Sequence, residues 1–250
     1  MRASRSLSHS TAVSIQTPDA RHLEEAEMDD DTRLQGNRRD FLGLAATVAA
    51  AGLGTMVPGT TAVAAADGPN TDFTRWLDSI SGKHRQLYDM PEANQGMGLV
   101  WSWAFFTTGP EAFGVPESDL GVVMVLRHGA LPLALTDSVW AKYKLGEVFK
   151  IEDPDTKAPA VRNPFYLKPG ALPVPDAALQ KLIARGVKVG ACNLAITFYS
   201  GMVAQKTGMK HEDVKKDWTD AVLPGIQVVP SGVVACNGAV SRGCAYVFAG

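Results

Sequence analysis

The chain has 250 residues, 46% of them hydrophobic and 20% charged, with a formal charge of −2 at pH 7. That length suits one domain with a sizeable core. The near-neutral balance excludes an electrostatic case for nucleic acid or for an anionic membrane surface, and no basic stripe or internal repeat follows residue 66.

The first organised feature is Asn37-Arg38-Arg39-Asp40-Phe41-Leu42, which runs into an Ala/Gly-rich apolar stretch at 43–57, with no charge across 41–66. Two arginines ahead of a mildly hydrophobic segment read as a twin-arginine export signal. Ala62-Val63-Ala64-Ala65-Ala66 offers cleavage after Ala64 or, preferably, Ala66, which leaves Asp67 as the first mature residue. A retained anchor and a core helix are the alternative readings, and Gly43, Gly52, Gly54 and Pro58 weigh against both. Met28 is a second candidate start, which would place 1–27 outside the signal. Residues 1–66 therefore stand apart from the fold. The expected location is periplasmic or otherwise exported, with membrane contact only during export.

Residues 67–84 are polar and read as a mobile lead-in or a short helix over 73–79, and the domain proper spans 85–250. Residues 85–90 are expected as a strand. Residues 98–112 carry Leu99, Val100, Trp101, Trp103, Phe105 and Phe106, too many large apolar groups for a surface face, and predict a mostly buried helix. The continuous run Gly121-Val122-Val123-Met124-Val125-Leu126 predicts a strand covered on both faces. Residues 131–145 predict a helix with Leu131, Leu135 and Val139 on one side. Residues 147–174 hold Pro154, Pro159, Pro164, Pro169 and Pro173 and read as an irregular excursion of the kind that carries function or meets partners.

Beyond it come a helix over 175–185 closed by Gly186, a strand over 187–191, a helix over 192–207 stopped by Gly208 and a helix over 211–221. A strand at 226–229, a helix at 232–242 and a strand at 244–248 complete the pattern. The alternation predicts an α/β fold: a three-layer α/β/α domain around a mainly parallel sheet of about five strands with right-handed crossovers. Ligands gather beyond the carboxyl ends of such strands. That directs attention to Arg127-His128-Gly129, Cys192-Asn193 and Pro230-Ser231-Gly232.

Those junctions also carry a resemblance. Leu126-Arg127-His128-Gly129, the stretch Gly186-Val187-Lys188-Val189-Gly190-Ala191-Cys192, the stretch from Leu223-Pro224-Gly225 through Pro230-Ser231-Gly232, and Gly243-Cys244-Ala245-Tyr246-Val247 resemble the DsrE/DsrF-like proteins. The likeness spans most of 85–250. It implies a compact three-layer domain that often forms small homo-oligomers. It also implies a cysteine just after a strand that carries sulfur as a persulfide, and Cys192 stands at the matching position.

Read from the residues, Cys192 lies where a strand gives way to a helix, whose N-terminus favours the nucleophilic thiolate; its plainer reading is a small buried core residue. His128 follows the second strand and is the expected proton donor or acceptor in the same crevice, against a plain strand-end cap. Cys192 and His128 are thus the expected catalytic residues. Arg127, Asn193, Ser231 and Gly232 are the expected ligand-binding residues, with a surface salt bridge and ordinary helix capping as the bland readings of Arg127 and Ser231.

Three cysteines, Cys192, Cys236 and Cys244, allow one disulfide and leave a thiol over, with no spacing that selects the pair. No G-x-S-x-G elbow, G-x-G-x-x-G fingerprint or metal-ligand spacing occurs, so no cofactor and no metal are expected. The leading expectation is an exported sulfur- or thiol-handling protein whose partner is a small molecule or a sulfur carrier. The alternative is a non-catalytic oligomeric module that binds a small ligand or partner. A third is an oxidoreductase or transferase with an unidentified cofactor.

Overall fold

The computed structural model describes residues 70–167 and 172–250. The expected export signal at 1–66 lies outside them. Helix α1 (Thr71–Asp78) is capped by Asn70, whose side chain accepts the Phe73 N–H at 2.9 Å. There follow β1 (His84–Met90), α2 (Met97–Phe113), β2 (Leu120–Leu126), α3 (Asp137–Tyr143), α4 (Leu145–Val148), α5 (Leu179–Ala184) and β3 (Lys188–Cys192). The chain continues through α6 (Asn193–Thr207), α7 (His211–Asp220), β4 (Ile226–Val229), α8 (Gly232–Val240) and β5 (Ala245–Phe248).

The five strands form one sheet in the order β4-β3-β2-β1-β5, every neighbouring pair parallel. Helices cover both faces, so the fold is the three-layer α/β/α arrangement that the alternation predicts. Strand β2 is buried along its whole length, as its unbroken apolar run requires. Side chains alternate across the pleat. Tyr88 and Met90 of β1 with Val122, Met124 and Leu126 of β2 enter a large core against α2, α5, α6 and α7. Leu87, Val123 and Val125 enter a smaller core against Trp76 and Leu77 of α1 and Ala235 and Ala239 of α8. The connections β1→β2→β3→β4 step one way across the sheet over the large-core face. The return from β4 to β5 crosses the other way with α8 on the opposite face. A constant crossover hand demands this change of face.

Two expected helices divide. Residues 131–145 are not one helix: a 3-10 segment His128–Ala134 contains Pro132, Leu135 forms a bridge with Val222, and α3 begins only at Asp137. Pro132 has no N–H to give and restrains the residue before it, so the α pattern cannot run through. The freed groups are used elsewhere, since the Pro132 carbonyl accepts from Leu135 N and from the Trp140 indole at 3.0 Å. Likewise 175–185 splits into a 3-10 turn Pro175–Ala177 and α5, because Ala178 takes an extended ψ of 135°. In α2, Leu99 and Phe106 are buried, while Trp101, Trp103 and Phe105 are half-buried.

The proline-rich excursion is irregular yet pinned. Asn163 is 3% exposed, and its Nδ2 donates to the carbonyls of Leu133 and Leu135 at 2.9 and 3.0 Å. Its Oδ1 accepts from Phe165 N at 3.1 Å, and its own N–H donates to the Asp137 carboxylate at 2.8 Å. One side chain thus ties the excursion to the loop after β2. Replacing Asn163 with Ala strands three buried backbone groups and is expected to cost about 3 kcal/mol, read as a lower midpoint in urea unfolding with unchanged slope.

Candidate functional site

All five strands are parallel, so their carboxyl ends open on one edge of the sheet. The organising group at that edge is Asp89, a residue that the sequence reading passed over. It is 4% exposed at the end of β1. Its carboxylate accepts from Arg127 Nε at 2.6 Å, from Arg127 Nη2 at 3.0 Å and from the Tyr246 hydroxyl at 2.7 Å. The Cys236 thiol interacts with it electrostatically. Burial by itself would raise the Asp89 pKa. The hydrogen bonds from Arg127 and Tyr246, with the Arg127 charge, outweigh burial and hold the carboxyl below its ordinary value. An acid inside the apolar strand Leu87-Tyr88-Asp89-Met90 was the available signal.

Arg127, expected to bind an anionic ligand, is committed to this internal carboxylate, and the Asp89 hydrogen bond raises its pKa further. Gly232 is where the start of α8 crosses the Arg127 stem: a Cβ there would lie 2.7 Å from Arg127 Cβ and Cδ. Ser231 caps α8, its Oγ accepting from Val234 N at 3.3 Å. His128 is exposed at φ 45°, beside Arg127 in sequence. Desolvation first, then the Arg127 charge, push its pKa down, against the opposing charge of Asp89.

Cys192 ends β3 and caps α6, and its Sγ accepts the Ala195 N–H at 3.3 Å. Cys192 is 5% exposed and belongs to the large core, the packing that its plainer reading expects. The capping geometry is the reason, since it turns the sulfur back onto the first helical turn. Asn193 is the first residue of α6 and half-buried, and its carbonyl accepts from Thr197 Oγ1 at 2.9 Å. All three cysteines are free and buried. Burial, then the charge and hydrogen bond of Asp89, push the Cys236 thiol up to about 12. Burial also raises Cys244.

Glu92, just beyond β1, is a second residue that the sequence reading passed over. Its carboxylate rests against the Gly129 backbone, where a Cβ would fall 1.9 Å from Oε2. Desolvation raises its pKa, and the Arg127 charge opposes. Burial first, then the electrostatic influence of Glu92, raises the Tyr199 phenol above its ordinary value. Glu92 also opens onto a cavity of about 650 Å³ between the turn after β1 and the proline-rich excursion. The strand ends therefore carry two clusters. Arg127 and Tyr246 bond to Asp89 with Gly232 packed on the Arg127 stem, and Glu92 stands against the Gly129 backbone at the mouth of the cavity. No group of three or more His, Cys, Asp or Glu placed to hold a metal occurs among the described residues. No helix among them is long and apolar enough to cross a membrane.

The Asp89 cluster has a pH signature. A carboxyl whose folded pKa is depressed stabilises the fold above its unfolded value, about 3.9, and loses that contribution as pH falls through the folded value. Asp89→Asn is expected to destabilise by about 2–3 kcal/mol at pH 7. That is slightly less than for a fully sealed pair, because the Arg127 side chain keeps 17% exposure. The gap between variant and parent should close as pH drops below the ordinary carboxylate range. Denaturant titrations of both proteins across pH 2–7 check it.

No family model and no curated protein matches the chain. Among solved structures it is similar to a protein of unknown function, MTH1491, from Methanobacterium thermoautotrophicum. The match has 16% identity and a TM-score of 0.35, and it covers 66% of this chain and 99% of that one.

Proposed function

We propose that the protein handles sulfur, or another thiol-reactive small ligand, through Cys192. The observation that carries this reading is the place of the sulfur at the α6 cap, where Sγ accepts the Ala195 N–H at 3.3 Å. A helix N-terminus offers amides and the positive end of its dipole to a thiolate or a persulfide anion. The competing thiols are poor nucleophiles. At pH 8 a thiol with a pKa of about 12, the value for Cys236, is ionised in about one molecule in ten thousand. The position also agrees with the sulfur-carrying cysteine that the DsrE/DsrF-like resemblance implies. Cys192 is 5% exposed, so reagents reach it through local opening.

A module that binds a ligand without covalent chemistry is the second reading, and the 650 Å³ cavity at the same edge favours it. Self-association belongs to both readings. The edge strand β5 supports it, because Tyr246 and Phe248 are 51% and 57% exposed there. Export by the twin-arginine route rests on residues 38–66, outside the described residues. Cell fractionation should show the parent chain exported and the double variant Arg38→Lys, Arg39→Lys retained.

Intact-protein mass spectrometry after polysulfide treatment tests the sulfur reading. A gain of one sulfur atom that disappears in Cys192→Ser is the expected result. Iodoacetamide at neutral pH should label Cys192 ahead of Cys236. Labelling of all three thiols only after denaturation, with no sulfur adduct, overturns the reading and leaves the binding module.

A further inference from the structure

The cavity beside Glu92 plays no part in the chemistry assigned to Cys192. Its volume, about 650 Å³, lies within the range of small-molecule sites. Phe149, Ile151 and Phe165 give it apolar walls, with Ile151 and Phe165 belonging to the core.

Four polar residues around it sit on left-handed backbone. Asn94, Gln95, Lys150 and Lys157 have φ values of 41°, 50°, 54° and 58°. Six non-glycine residues adopt positive φ among the described residues, and a fifth of them, His128, immediately precedes Gly129 of the same cavity wall. Such backbone costs an L-residue about 1–2 kcal/mol, which glycine would relieve. The chain instead keeps an amide or an ammonium at each of the four positions. Strain retained around a cavity is the pattern of a binding site.

Charge narrows the ligand. Asp153 is already committed, accepting from the N–H groups of Asp155 and Thr156 and pairing with Arg162. Lys150 and Lys157 make no ion pair among the described residues, although Glu152 and Glu92 line the same cavity. Glu92 feels the Arg127 charge and rests on the Gly129 backbone, yet accepts no hydrogen bond among the described residues. The cavity thus presents uncommitted groups of both signs around an apolar wall. A simple anion or cation would satisfy only one set. A molecule bearing both charges and a hydrocarbon group satisfies all three features.

We propose that this cavity binds a small zwitterion, an α-amino acid or a dipeptide with an apolar side chain, its carboxylate on Lys150 and Lys157 and its ammonium on Glu92. The site is independent of Cys192, and its ligand is not required to react there.

Calorimetric titration of the full chain with leucine, phenylalanine and alanyl-leucine tests this. At least one is expected to bind at millimolar concentration or below, with amide NMR shifts confined to residues 92–96, 129 and 149–157. Isovalerate, which lacks the ammonium, and isoamylamine, which lacks the carboxylate, should each bind about tenfold more weakly than leucine. Glu92→Gln should weaken the zwitterion and leave isovalerate unchanged. Lys150→Met with Lys157→Met should weaken both, and all these side chains are exposed, so the variants should fold. Cys192→Ser should bind as the parent does, which separates this site from the sulfur reading. Failure of all three zwitterions to bind overturns the proposal. Equal binding of isovalerate and leucine, or variants that bind like the parent, overturns it too.

Discussion

The carboxyl edge of the sheet depends on one buried ion pair, Asp89 with Arg127. Taking a carboxylate and a guanidinium out of water costs several kcal/mol for each, and only close, multiple hydrogen bonding offsets it. Here the carboxylate receives two N–H groups from Arg127 and the Tyr246 hydroxyl. Those donors come from β2's exit and β5, while the acceptor sits on β1. The cluster therefore ties three strands at one point. Strand β5 has four residues, mostly exposed, and its attachment to β1 draws on this cluster and on the Ala249 N–H donated to the Asp89 carbonyl at 2.8 Å.

That commitment sorts the neighbouring groups. Arg127 is spent inside the protein and keeps the Asp89 charge in place, so the nearby Cys236 stays a thiol. The start of α8 must pass tightly over the arginine stem, which is why position 232 carries no side chain. On the other side of the edge, Cys192 faces the amides of α6 with no such carboxylate bonded to it. Cys192 and Cys236 thus meet different surroundings, a helix-start amide and a buried carboxylate.

The excursion between α4 and α5 builds the other side of this edge. Asn163 anchors it over the loop after β2, and its residues from Phe149 onward face the turn at Glu92 across the cavity. A loop with five prolines would otherwise be a spacer. Held by a buried amide it becomes one wall of a chamber whose opposite wall is the exit of β1. Glu92 lines the chamber and rests on the Gly129 backbone just beyond β1.

Hydrophobic period and turn residues, both local properties, determined the elements: the apolar run of β2, the Gly208 stop of α6, and from their alternation the parallel sheet and the edge where its ends open. Cys192 and Ser231 were recognisable as helix starts for the same reason. The helix breaks at Pro132 and Ala178 were not, because an apolar pattern continues through them while the backbone cannot. The partners of Asp89 come from positions 127, 236 and 246, and the cavity pairs residues 92–95 with 149–157. No periodicity links such distant positions. Only the folded chain decided that Arg127 would answer an internal acid instead of a ligand, because desolvation and hydrogen-bond geometry are properties of neighbours in space, not of neighbours in sequence.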